Sequence, residues 1–396
     1  MTDNREHICL RKAVFGLIFA AIVLLPVGCS KKLTPASPYI SVPPGTSTVI
    51  ATRTATPTLT ATKNLSETTT MTKTRTLTVS LSPTNTRTLT RTATITPTFT
   101  TTSTLTAQQI EQTATMTAMF AYKWGSTGTA NGQFNYPNAL AIDAAAGYVY
   151  VVDTSNHRIQ KFDTNGIFLL KWGTLGPGNG QFYAPRDASV DASGYVYVVD
   201  GYNRVQKFDQ YGIHITSWGS TGALDGQFSS PYGIVAAPDG YIYVADTINN
   251  RIQKFTTAGV FVLKWGASGT GDGQMDEPHG IAADAGYIYV SDMYNSRVQK
   301  FLGDGTFVAK WGVYGYAQDQ FIYPYGIGVN GNYVYSSDYN KNCIFIYTTT
   351  GAYKGRFGTP GTGPGQFDNP YEIGFDASGY MYIVDSYNAR IQKFLP

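Results

Sequence analysis

Six prolines, Pro137, Pro185, Pro231, Pro278, Pro324 and Pro370, are each followed by a residue to be weighed for chemistry. In order these are Asn138, Arg186, Tyr232, His279, Tyr325 and Tyr371, and the next position reads Ala139, Asp187, Gly233, Gly280, Gly326 and Glu372. An amide, a guanidinium, an imidazole, phenols and two carboxylates thus occupy equivalent places, a set suited to hydrogen bonding, ring stacking and acid–base work. A second set repeats instead of varying. Asp153, Asp200, Asp246, Asp292 and Asp385 each precede an arginine a few residues on: Arg158, Arg204, Arg251, Arg297 and Arg390. A scaffold residue repeats, whereas a ligand-reading residue need not. The Asp–Arg pairs are therefore read as structural clamps across a loop, and the varied positions as the candidate site.

These positions recur because the chain repeats. The six prolines span 233 residues, a period of about 47, which lies in the range of propeller blades. Each unit holds a short apolar segment, an alternating stretch such as "YVYVVD", a polar loop, a stretch such as "RIQKF", and a segment such as "VFVLKWG". That is four period-2 strands separated by Gly, Asn and Asp turns, with no helical periodicity. All five tryptophans (124, 172, 218, 265 and 311) close such a segment, with Phe357 in the sixth place, and are read as packing between units. The fifth unit breaks the clamp pattern: Asp338 is kept but Cys343 replaces the arginine. It is expected to be the least well clamped, with Cys343 a buried small hydrophobe.

The "YVYVVDTSNHRIQKF" stretch and the "GQF…P" lead-in resemble the NHL repeat over all six units, about residues 119–396. The resemblance implies an all-β, six-bladed propeller of four-stranded blades. The chain stops after its last "RIQKF", and "MFAYKWG" (119–125) is a Trp-Gly segment with no unit before it. The ring is expected to close by pairing this strand with the C-terminal blade, which removes free edges. In such a fold the residues after each proline sit at the mouth of the central channel. The loops between second and third strands share that face and add Tyr202, Tyr294, Tyr339 and Tyr387. The candidate face is a Tyr-rich ring with Asn138, Arg186, Asp187, His279 and Glu372 set among it. Its weight is tempered by the abundance of tyrosine, 29 in all.

Two enzyme readings stand beside a binding module. The chain resembles peptidylglycine α-amidating lyases, which set histidines from different blades around zinc, in His279 and in "DGYN" at 200–203. Beyond the leader the histidines are His157, His214 and His279, and the first two are not expected to converge with the third on one ion, which needs three protein ligands. A lactonase-type calcium site in the channel would draw on Asp187, Glu372 and Asn138, a partial set. No nucleophile–base pair or phosphate-cradling loop stands out. The leading expectation is a non-enzymatic binding or scaffold module without a cofactor, taking protein, peptide or glycan ligands. The alternative is a metal-dependent lyase or lactonase with zinc or calcium in the channel.

The N-terminal third carries its own signals. Arg5, Arg11 and Lys12 precede an apolar run ending at Cys29, a secretory pattern short for a bilayer span. It resembles a bacterial lipoprotein signal with Cys29 lipidated, although Pro26 stands where Leu is usual; an uncleaved signal anchor is the other reading. Residues 1–29 are taken as this signal and 30–118 as a Thr/Pro/Ser-rich stalk too poor in apolar residues to fold. The chain is expected to be exported, membrane-anchored, monomeric and at the cell surface. Its net charge of +3 is a sum of +7 over residues 1–118 and −4 over 119–396. The acidic balance of the repeats argues against nucleic-acid binding.

Overall fold

The computed structural model describes residues 119–396; the leader, Cys29 and the stalk lie outside the described residues. The architecture is a ring of six four-stranded antiparallel sheets. In blade 1 the strands are Pro137–Asp143, Tyr148–Asp153, Arg158–Asp163 and Phe168–Trp172, running outward from the axis in sequence order. Blades 2 to 5 follow over 187–218, 234–265, 278–311 and 324–357. Blade 6 takes Pro370–Phe375, Met381–Asp385 and Arg390–Phe394 from the C-terminus and Phe120–Trp124 from the other end. Phe120 pairs with Phe394 and Trp124 with Ile391, so the ring closes as the sequence requires.

The alternating strands are buried on both faces because each sheet is sandwiched between neighbours. Val149, Val151 and Phe162 of blade 1 pack with Tyr382 and Ile391 of blade 6, while Tyr150, Val152 and Ile159 pack with Val196 and Phe208 of blade 2. Each fully buried side chain of this size is worth about 1.5–3 kcal/mol relative to exposure. The tryptophans sit at the seams. Trp124 of blade 6 lies 5.9 Å from the ring of Phe162 in blade 1, and Trp172 of blade 1 lies 5.7 Å from Phe208 in blade 2. The turn beneath each indole needs a glycine twice over: Gly166 has φ +73°, and a Cβ there would fall 2.8 Å from Trp124.

The Asp–Arg pairs are clamps, and broader ones than expected. Asp153 accepts Arg158 Nε at 2.6 Å, Gln160 Nε2 at 3.0 Å and the Asn135 amide at 2.7 Å. The rest of the Arg158 guanidinium donates to the carbonyls of Thr129, Ala130 and Gln133. One buried network therefore ties the second-to-third-strand loop to the "GQF" lead-in. The same Asp–Arg contact recurs at 2.6–3.1 Å in blades 2, 3, 4 and 6. A further repeat went unread: Lys161 lies 3.5 Å from the centre of the Tyr148 ring, and Lys207, Lys254, Lys300 and Lys393 lie over matching tyrosines. In blade 5 Cys343 is buried and its thiol is pushed up to about 12, first by burial, which fits an inert packing residue.

Candidate functional site

The first strand of each blade lines the axis, so the residue after each proline arrives at one end of the channel. There Asn138, Arg186, Asp187, Tyr232, His279, Tyr325 and Glu372 come together as expected. What they form is a packed plug, with about 10 Å³ of space between them, no more than one water requires. Tyr232 and His279 rings are 4.4 Å apart, His279 and Tyr325 4.8 Å, and Tyr325 stacks on Tyr371 at 4.4 Å. Asn138 Nδ2 donates to the Tyr232 hydroxyl at 3.3 Å. Arg186 donates to the Pro231 carbonyl at 3.0 Å and lies over the Tyr232 ring at 5.1 Å. His279 is 6 % exposed and Tyr325 8 %.

Burial sets the protonation of the plug. The His279 imidazole is pushed down to about 4, first by desolvation, with the Arg186 charge adding to it. It is neutral at physiological pH, and since its Nδ1 meets the Glu277 carbonyl at 3.0 Å, Nδ1 carries the proton. The Asp187 carboxyl is pushed up to about 7 by burial, against the pull of the Ile234 and Ala188 amides. Burial and then the nearby Asp187 charge hold Glu372 well above the ordinary carboxylate range.

The second position shows why these two carboxylates stand where they do. A Cβ at Gly233, Gly280 or Gly326 would fall 2.1–2.3 Å from a carbonyl oxygen of the next blade, at His279, Tyr325 and Tyr371 respectively. Inner strands are that close on one side of the ring, so only glycine fits. Ala139, Asp187 and Glu372 stand where a Cβ is accommodated. Their variation thus reflects the local room for a side chain as well as any ligand.

Below the plug the channel opens. A cavity of about 260 Å³ runs between the inner strands, bordered by Leu140, Ile142, Val190, Ile281, Ile373 and Phe375 among others. Asp187 and Glu372 are the two residues that border both this cavity and the plug. The larger accessible space is therefore reached from the face opposite the tyrosines, which the sequence did not reveal.

The remaining predicted residues divide. Tyr339 stays with the plug, 5.8 Å from Tyr325 and 6.3 Å from Tyr371, and stacks on Tyr323 at 5.7 Å, which in turn meets Tyr294 at 5.6 Å. Tyr202 and Tyr387 do not join this array. Tyr202 packs against Tyr183, which stacks on His157, and Tyr387 packs edge-on to Tyr136. Tyr136, Tyr183 and Tyr323 were missed because the reading followed the residue after each proline; "NYP", "FYAP" and "IYP" held the signal. Tyr136, Tyr183 and Tyr387 are each about half exposed, at 52 %, 51 % and 51 %.

The histidines do not assemble a zinc site. His157 accepts the Ala184 amide through Nδ1, and His214 sits in the outer strand of blade 2 against Phe208. Among the described residues no group of three His, Cys, Asp or Glu is placed to hold a metal ion. Asp187 and Glu372 supply two carboxylates already engaged by backbone amides, a donor set that does not fit calcium's six to eight oxygens.

Fold and repeat together define an NHL-repeat, six-bladed β-propeller. Residues 134–162, 228–255 and 275–301 match the NHL repeat, in blades 1, 3 and 4. No curated protein matches the chain in sequence. Among solved structures the chain is similar to virginiamycin B lyase from Staphylococcus aureus, at 16 % identity over 69 % of this chain and 98 % of that one, with a TM-score of 0.50. A gluconolactonase from Xanthomonas campestris is 17 % identical over 67 % of this chain and 88 % of its own, also at 0.50. An auxiliary nutrient binding protein from Bacteroides thetaiotaomicron is 15 % identical over 66 % and 69 %, at 0.50. At such identities the likeness concerns the fold, which serves enzymes and binding proteins alike.

Proposed function

We propose that the propeller is a non-enzymatic binding module whose loop face takes protein, peptide or glycan ligands, without a metal. The observation that carries the reading is the aromatic surface of that face. Tyr294, Tyr323, Tyr339 and Tyr371 run in edge-on and stacked contact towards the axis, flanked by the half-exposed pairs Tyr136–Tyr387 and Tyr183–Tyr202. Tyrosine gives broad amphipathic contact area at small entropic cost, as binding surfaces require. The plugged axis supports the same reading, since the residues that converge there leave only about 10 Å³ between them. Export with anchoring at Cys29, or by an uncleaved signal, would tether the propeller to a membrane; a fatty-acid label that is incorporated by the wild type and lost in Cys29→Ser marks a lipoprotein, and no label in either marks a signal anchor.

The test is capture on glycan and peptide arrays, with the chain as purified and after chelation. Changing Tyr136, Tyr183 and Tyr387 together to Ser should lower capture at least tenfold while the melting temperature moves little, because these rings are half in solvent. Unchanged capture discards the face, and capture lost on chelation discards the metal-free reading.

A further inference from the structure

The open half of the channel has walls and a floor of different character. Its walls are the six inner strands, which present Ser189 and backbone polar groups alongside aliphatic side chains, and partly exposed Ile142, Val190 and Phe375 show that its lower end is accessible. Its inner end carries Asp187 and Glu372. Above them the aromatic plug shuts the axis, so the space is a blind pocket with carboxylates at its end. Asp187 receives the Ala188 and Ile234 amides at 2.7 Å, and Glu372 receives the Ile373 amide at 3.1 Å. Neither carboxylate has an ion-pair partner among the described residues, although every clamp aspartate does where its arginine is present. The nearest cation of the mouth, Arg186, is turned to the Pro231 carbonyl and the Tyr232 ring.

We infer that this pocket binds a small organic ammonium ion, its charged head between Asp187 and Glu372 and its apolar body along the channel. Asp187 and Glu372 stand together at the end of the cavity without a counter-charge; an ammonium supplies the charge and up to three donors. Partly exposed Ile142, Val190 and Phe375 offer hydrocarbon surface to an ion that carries its own. At about 260 Å³ the space lies just below the ~300 Å³ where pockets for drug-sized ligands begin, so an amine of modest size is the right class. The inference is independent of the tyrosine face, since the two sites open on opposite sides of the ring.

Calorimetric titration of the whole chain with phenethylammonium, and with 2-phenylethanol as its neutral counterpart, tests it. The amine should bind one to one, and the alcohol at least tenfold more weakly. Asp187→Asn and Glu372→Gln should each weaken the amine at least tenfold, and Ala283→Trp should block it by filling the channel while leaving both carboxylates. Amine binding should survive the Tyr136, Tyr183 and Tyr387 changes, which separates it from the face. Equal binding of amine and alcohol, or no binding of either, overturns the site. So does calcium that binds to the wild type and is lost in Asp187→Asn, since that would make the pair a metal site.

Discussion

Blade 1 and blade 5 are built on one plan and fastened by different means. In blade 1 the third strand presents Arg158, Gln160 and Lys161, each spent on a buried polar contact. In blade 5 the same places hold Cys343, Phe345 and Ile346, and the polar network gives way to aromatic packing, with Phe345 4.5 Å from Phe321 and stacked towards Tyr347. Two of the three lead-in carbonyls are still met. Lys341, two residues before the vacant arginine place, reaches the carbonyls of Ala317 and Gln320, which correspond to Ala130 and Gln133 in blade 1. Blade 5 is thus the least well clamped, as expected: Asp338 has no ion pair among the described residues, and Lys341 covers two of the three carbonyls that the arginine meets in blade 1. The lesson is that the lead-in loop must have a donor, while the identity of that donor is free.

The comparison can be broken most sharply in blade 1. Arg158→Ala leaves Asp153 buried without its counter-ion and strands three carbonyls, so denaturant unfolding should show a loss of about 3–5 kcal/mol. A loss below about 1 kcal/mol would mean the network is not what holds the blade. Next comes Lys341→Ala, which removes a more exposed ammonium and should cost about 1 kcal/mol by the same measurement. A cost equal to that of Arg158→Ala would erase the distinction between the blades. The smallest effect is a matter of pH. Burial holds Asp338 above the ordinary carboxylate range, against the Ile322 and Lys341 amides, so its proton is favoured in the fold. Stability from this group is greatest below its unfolded value and declines as pH rises through its folded value. Asp338→Asn should remove that decline, so that the variant's melting temperature rises relative to the wild type's as pH climbs above the ordinary aspartate range. Parallel curves would count against it.

The clamps, the seam tryptophans and the closing strand were legible because repetition averages out local noise. Asp153 and Arg158 recur at fixed offsets, and Phe120–Trp124 was the one strand left over. Lys341 was not legible, since a substitute donor from a shifted position leaves no periodic trace. The site was half legible. The residues after each proline do converge, but a one-dimensional pattern cannot say whether converging side chains leave a cleft or fill it. Here Tyr232, His279 and Tyr325 are large enough to fill it. The channel beneath was invisible for a related reason: Ile142 and Phe375 read as ordinary strand residues, and only ring closure puts a void in front of them.

The shared sixth blade has a consequence for how the chain is made. Trp124 pairs with Ile391, 267 positions later, so a strand among the first to leave the ribosome waits for nearly the last. Contacts of such separation are slow to form. Once sealed, any pull on the segment before Phe120 is borne first by that one seam, so the strand that finishes the domain is also where a tether would load it.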